Sequence, residues 1–302
     1  MTTNSEPVTI SDAMSKYLDM IKLSRSIHTM RAYKNALQIF STVLKEKWLE
    51  PTSTSAEKLT ENMISTMAGY LKTYAPATER LYLQAVKGFY EYVDSEHLAD
   101  INQSRVHVLI RQRSRRPGIR FPQFPMDDMT KLLVQVENVN NLVISTDEDE
   151  ASEAIKLRAY RDRAFLLTLA DSGLRVHEAC KLRRGDIDWN EQRAIIIGKG
   201  DKQAVIRFTS HAIQAIKDYL SQRAAFDGNS GKQLTSLPLF ARHDKGAGKK
   251  IKPITPTTGR NIVKERVAQF LGKEMIGKIT PHSFRHYFVT TVLRSSGNLK
   301  LA

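Results

Sequence analysis

One cysteine, Cys180, stands among 302 residues, which excludes an internal disulfide and a cysteine-built zinc cluster and leaves no basis for redox chemistry. With 10 prolines and 15 glycines the chain has too little of either for a collagenous or low-complexity protein. No apolar run is long enough to span a bilayer, and the opening MTTNSEPVTI lacks the basic-then-apolar pattern of a secretory signal, so a cytosolic location and no membrane partner are expected. A Gly-rich nucleotide loop is missing too. The main acidic run, Asp147-Glu148-Asp149-Glu150, is contiguous and reads as a solvated loop, because a metal site needs carboxylates converging from separate elements. What is present is 41% apolar residues at a mean hydropathy of −0.37, enough to bury a core in about two domains.

Charge is unevenly placed. The chain carries +14 overall, yet residues 1–100 hold 11 basic and 12 acidic side chains, whereas residues 101–302 hold 35 and 20. Residues 201–302 alone carry 18 basic against 6 acidic groups, more than solubility requires and suited to a polyanion such as nucleic acid. A merely solvated basic surface is the plainer alternative.

From Ile10 to about Leu98 the apolar spacing is helical. Ile10, Met14, Tyr17, Leu18 and Ile21 form one stripe, and Met30, Tyr33, Leu37, Phe40 and Leu44 the next. Thr60 is expected to cap a third helix, with Ile64, Met67 and Leu71 inward. Thr78 is expected to cap a fourth, with Leu81, Val86, Phe89 and Val93 inward. The reading is a helical bundle over residues 1–104 whose aromatics are core. Arg111, Arg113, Arg115, Arg116 and Arg120 then interleave with Pro117, Gly118, Pro122 and Pro125, so residues 105–125 read as a basic linker without regular helix, solvated or laid along a phosphate backbone. Residues 126–302 form the second domain. It contains helices near 126–139, over Ala164–Leu169 and at 210–225, 257–271 and 281–296. Its only clear β-structure is a hairpin of Ala194–Ile197 and Ala204–Phe208 around Gly198-Lys199-Gly200-Asp201-Lys202-Gln203. The fold class is thus mainly α with a small antiparallel sheet.

Three short patterns in the second domain carry chemistry: Ser172-Gly173-Leu174-Arg175-Val176-His177-Glu178, Gly198-Lys199-Gly200-Asp201-Lys202, and Thr280-Pro281-His282-Ser283-Phe284-Arg285-His286. Thr280 caps and Pro281 starts a helix on which His282 and Arg285 lie one turn apart, near its positive end, a placement that favours an anion. Two arginines, a lysine and a histidine without clustered carboxylates resemble a metal-free phosphoryl-transfer site. Arg175 and Arg285 would clamp the non-bridging oxygens, His282 would donate to them or take a proton, and Lys199 would protonate the departing oxygen. Zinc held by His282 and His286 is disfavoured, because Arg285 lies between them and no third ligand is evident.

These patterns, in this order and spacing, resemble the tyrosine recombinases of the phage-integrase type. Asp171-Ser-Gly-Leu-Arg175-Val-His-Glu178 matches that family's first arginine box, Gly198-Lys199-Gly200 its lysine hairpin, and His282-Ser-Phe-Arg285-His286 its His-x-x-Arg box. The resemblance covers nearly the whole chain. It implies an N-terminal SAM-like core-binding domain and a C-terminal integrase-type catalytic domain that form a C-shaped clamp on double-stranded DNA, with self-association on the DNA. The implied reaction is attack of a tyrosine on a phosphodiester, giving a 3′-phosphotyrosine link and a free 5′-hydroxyl, with no cofactor and no metal. Arg175, Lys199, His282 and Arg285 are the implied catalytic residues. Glu178 would orient the site or be an ordinary surface glutamate, and Lys202 and His286 are further supporting candidates. Arg31, Lys34, Arg80, Lys87, Arg111, Arg113, Arg115 and Arg116 are the candidate DNA contacts.

The sequence departs from the family pattern after the His-x-x-Arg box. Family members carry a further Leu-Gly-His box and the nucleophilic tyrosine downstream, whereas the last tyrosine here is Tyr287, two residues past Arg285 and on another side of the helix. Tyr287 is expected to be a buried aromatic, and the chain is expected to lack its nucleophile and be C-terminally incomplete. A non-catalytic DNA-binding relative of a recombinase, and a type IB topoisomerase, are the alternative functions.

Overall fold

The computed structural model describes residues 7–115, 124–143, 149–197, 203–244, 246 and 250–297, with only the backbone for 149–152. The chain divides into two compact units, Met1–Phe121 and Pro122–Ala302.

In the first unit, α1 (Ile10–Ser24), α2 (Ile27–Lys45), α3 (Asn62–Tyr70), α4 (Pro76–Ser95) and α5 (Gln103–Arg113) surround one core. Side-chain caps start three of them: Thr9 Oγ1 accepts from Asp12 N, Ser26 Oγ from Thr29 N and Asn102 Oδ1 from Arg105 N. Met14, Tyr17 and Ile21 of α1 are buried against Leu37, Phe40 and Leu44 of α2 and Phe89, Tyr90 and Val93 of α4. Four expectations fail here. Thr60 and Thr78 are not caps, since Glu61 and Ala75 hold those positions without a side-chain bond. Leu81 is 42% exposed, because the inward stripe of α4 runs through Leu83, Val86, Phe89 and Val93. Residues 105–113 are not linker but most of α5, whose helix is free to form because the first proline comes only at Pro117. Arg115 is not a free cation: its guanidinium pairs with the fully buried carboxylate of Glu79, which also takes Lys72 Nζ at 2.8 Å.

The second unit comprises α6 (Met126–Glu137), α7 (Asp149–Ser172), α8 (Val176–Ala179), β1 (Ile187–Asp188), β2 (Arg193–Ile197), β3 (Gln203–Arg207), α9 (Ser210–Gln222), α10 (Ala224–Gly228), α11 (Pro256–Leu271) and α12 (Pro281–Ser296). Of the acidic run, Asp149 and Glu150 begin α7, and Asp147 and Glu148 lie outside the described residues. Ala164, Phe165, Leu166, Leu167 and Leu169 of α7 are all buried, so the C-terminal half of this central helix is enclosed on every side. The sheet is antiparallel in the order β1-β2-β3, with Ile195 opposite Val205. Strand β1 has only two residues, too short for an alternation to show.

Two polar networks cross this core. Asp162 takes Arg161 Nη2 and Arg266 Nη2, both at 2.7 Å, one on each carboxylate oxygen, and so joins α7 to α11. Tyr219 Oη accepts from Arg223 Nη1 and Ala241 N and lies 2.7 Å from His243 Nε2. With both lone pairs of that oxygen engaged, its proton goes to His243, which must be neutral to accept it. Burial, followed by Arg161 and Arg223, pushes the His243 imidazole down to about 3. The unfolded chain, with a histidine near the ordinary 6.5, therefore binds the proton first, and the stability this neutral histidine preserves is complete above that pH and lost as pH falls toward 3. Between pH 6 and 4, urea unfolding of the second unit should lose about 1.4 kcal/mol per pH unit to this one group, and His243→Gln, which keeps an acceptor without titrating, should remove that contribution.

Candidate active site

The end of α7 shapes the first box. Ser172 Oγ donates to Thr168 O at 2.6 Å, and Gly173 follows at φ +60°, a left-handed conformation that ends the helix and that only glycine takes without strain. A Cβ at Gly173 would also lie 2.4 Å from Phe288 Cδ1 of α12. Gly173→Ala should therefore destabilise the second unit by roughly 1–3 kcal/mol in urea unfolding and displace α12. An unchanged unfolding midpoint would show that neither constraint matters.

Leu174 is buried, and Arg175 emerges with its side chain about half exposed. Glu178, one turn on, is buried rather than a surface residue. Its Oε2 accepts from Arg175 N at 2.8 Å and its Oε1 from Arg175 Nη1 at 3.0 Å, so one carboxylate fixes both the backbone and the guanidinium of Arg175.

The His-x-x-Arg box sits on α12. Thr280 is its N-cap, Pro281 its first residue, and Thr280 N donates to Ser283 Oγ at 3.0 Å. Ser283 and Phe284 are buried and anchor the first turn. Periodicity then turns His282 and Arg285 to the other side. Arg285 Nη1 donates to Gly173 O at 2.7 Å, which ties the His-x-x-Arg turn to the arginine loop. His286 is exposed, with its ring centroid 5.5 Å from that of His282 and 6.2 Å from that of Phe124.

Arg175, His282 and Arg285 line one cavity of about 480 Å3. Arg260 and Lys264 of α11 line it as well, and the sequence reading missed both. Their i, i+4 spacing was visible. What was hidden is that Gly259 lets α11 pack closely, since a Cβ there would meet Val176 Cγ2 at 2.8 Å and Phe165 Cζ at 2.9 Å. The cavity thus gathers four cationic side chains and two histidines, His177 and His282, a set that complements a dianionic phosphoryl transition state. No tyrosine among the described residues lines it. Tyr287 is half-buried rather than fully buried, packed against the core of the unit. Among the described residues no three His, Cys, Asp or Glu side chains converge as metal ligands, and no helix is long and apolar enough to cross a membrane.

Lys199, Lys202 and Arg116 lie outside the described residues. Of the other candidate DNA contacts, Arg31, Lys34, Arg80, Arg111 and Arg113 are exposed. Lys87 is half-buried and pairs with Glu91 at 3.2 Å. Arg115 is committed to Glu79.

Comparison with known proteins places this arrangement. Residues 136–302 match the model of the phage integrase family. The tyrosine recombinase XerC of Thermodesulfovibrio yellowstonii is 30% identical over 292 residues, covering 95% of this chain and 85% of the relative, and that of Bacillus subtilis is 26% identical over 286 residues, covering 94% and 83%. Among solved structures, the XerH site-specific recombinase bound to palindromic difH substrate superposes with a TM-score of 0.64 at 18% identity, covering 95% of this chain and 76% of that one. A lambda integrase dimer bound to a core site gives 0.62 at 13% identity, covering 95% and 91%. The helical fold with its small antiparallel sheet is the fold of these structures. The chain belongs to the phage integrase family, the site-specific tyrosine recombinases.

Proposed function

We propose that the cavity between α8, α11 and α12 holds the phosphodiester of a DNA duplex, with Arg175 and Arg285 bound to its non-bridging oxygens and His282 hydrogen-bonded beside them. The observation that carries this reading is the 2.7 Å bond from Arg285 Nη1 to Gly173 O, which brings two boxes 110 positions apart in sequence to one cavity with both guanidinium groups on its wall. Glu178 holds Arg175 in place. Fixed donors of this kind lower the barrier because negative charge grows on those oxygens as the pentacoordinate phosphorus forms. A tyrosine hydroxyl attacks in line and passes its proton to His282, the 3′-phosphate becomes joined to the phenolic oxygen, and the 5′-oxygen departs with a proton that Lys199 supplies. Lys202 and His286 support the hairpin lysine and His282 respectively. Arg260 and Lys264 extend the phosphate-binding wall. The attacking tyrosine is not Tyr287, which packs on the core.

Arg31, Lys34, Arg80, Arg111 and Arg113 of the first unit contact the same duplex, and copies of the chain associate on it. Binding of duplex DNA to residues 1–302 should weaken steeply with salt, because each phosphate neutralised releases counterions and contributes about −0.9 to the slope of log K against log salt. Arg285→Ala and Arg260→Ala should each flatten that slope by roughly 1, while Tyr287→Phe leaves it unchanged. A slope near zero in the unaltered chain would end the proposal.

A further inference from the structure

The β2–β3 hairpin is weakly held. Ala194 and Phe208 are buried at its base and Ile196 and Ile206 pack partly buried on the core, but Ile195, Ile197 and Val205 are more than half exposed, so core packing holds one face of the strands and leaves the other in solvent. What sets the direction of such a hairpin is the pattern of contacts where its strands enter the core. Phe208 N donates to Gln192 O at 2.8 Å and closes the base. The next amide, Thr209 N, leaves the hairpin altogether and donates to Asp171 Oδ2, in the last turn of α7. Thr209 is the N-cap of α9 and uses its own side chain toward Ala212 N, so Asp171 is not needed to cap that helix.

Asp171 is half-buried, and its carboxyl is pushed above the ordinary aspartate range by burial, against the opposing pull of the Thr209 bonds and His211. A carboxylate in such a place costs stability unless its bond is used. Four residues further along the chain stands Arg175.

We infer that Asp171 is a positioning residue: by accepting the amide proton of Thr209 it ties the end of β3 to the turn that carries Arg175, and so fixes the hairpin relative to the arginine pair. The inference rests on the reading of Lys199, in the connection between β2 and β3, as the lysine that serves the leaving oxygen. Asp171 touches neither DNA nor the reacting atoms and acts only through the hairpin. An asparagine keeps an acceptor at this position; an alanine does not. Proline at position 209 deletes the donor instead, and the φ of −74° there already suits proline.

The test is acetylation of lysines in residues 1–302, free and on a mixed-sequence duplex at low salt, with each site read by mass spectrometry. In the unaltered chain and in Asp171→Asn, DNA should protect Lys199. In Asp171→Ala that protection should fall by about fivefold, the ratio one ordinary internal hydrogen bond sets, while overall DNA affinity and protection of Lys264 stay within about twofold. Thr209→Pro should reproduce the loss without altering the carboxylate, which keeps the test decisive if Asp171→Ala does not fold. Protection of Lys199 retained in Asp171→Ala or in Thr209→Pro overturns the role of Asp171 alone. Lys199 unprotected in the unaltered chain overturns the lysine reading, and this inference with it.

Discussion

Arg285→Ala should lower the rate of DNA strand cleavage by roughly 10²–10³, or about 3–4 kcal/mol of transition-state stabilisation, in residues 1–302 joined to a C-terminal segment that carries a competent tyrosine. Two losses combine. The phosphate forfeits a guanidinium donor, and the bond from Arg285 Nη1 to Gly173 O that registers α12 against the arginine loop is broken. Arg285→Lys restores charge but not the planar fork, so it should recover DNA binding more fully than cleavage. Arg175→Ala should be similarly severe, and Glu178→Gln, which leaves an oxygen to accept from Arg175 N, milder. Quench-flow or gel kinetics of covalent adduct formation measure all four. A loss under about tenfold for Arg285→Ala would mean that the cavity is not where the phosphate is held. The same assay on residues 1–302 alone should give no adduct at Tyr287.

Asp162→Ala should destabilise the second unit by roughly 3–5 kcal/mol, because it strands two buried guanidinium groups that now share one carboxylate. Arg266 would keep Leu142 O and Gln269 Oε1 as acceptors, and Arg161 would keep only the long contact to Ala241 O, too little to balance two desolvated charges. Since α11 carries Arg260 and Lys264, the variant should also lose DNA affinity before it unfolds globally. Urea unfolding of residues 1–302, followed by a probe in the second unit, tests this; a shift below about 1 kcal/mol would show that the pair is dispensable.

What the sequence made legible followed from local rules. The capping pair Thr280-Pro281 placed the start of α12 to the residue, because N-cap and N1 preferences act within one turn, and the period of α1 and α2 picked out Met14, Tyr17, Leu37 and Phe40. The three boxes were legible as an ordered set, and the structure brings Arg175, His282 and Arg285 to one cavity. Two of the misses come from dependence on partners distant in sequence. Arg115 looked like a free linker cation because nothing near it in sequence announces Glu79, 36 residues earlier. Arg260 and Lys264 went unremarked because their place on the cavity wall depends on the close approach that Gly259 permits. Leu81 was misplaced by the ambiguity between adjacent apolar positions in a 3.6-residue period, which Leu83 resolves only once α4 is packed.

The central claim is that Arg175, His282 and Arg285 together hold a DNA phosphate, and a crystal structure of the chain on duplex DNA tests it most directly. The account predicts one phosphodiester in the cavity, its non-bridging oxygens within hydrogen-bonding distance of both guanidinium groups, about 2.7–2.9 Å, with His282 beside them and the Arg285–Gly173 bond intact. A duplex bound with that cavity empty, its phosphates held by other cations, would contradict it.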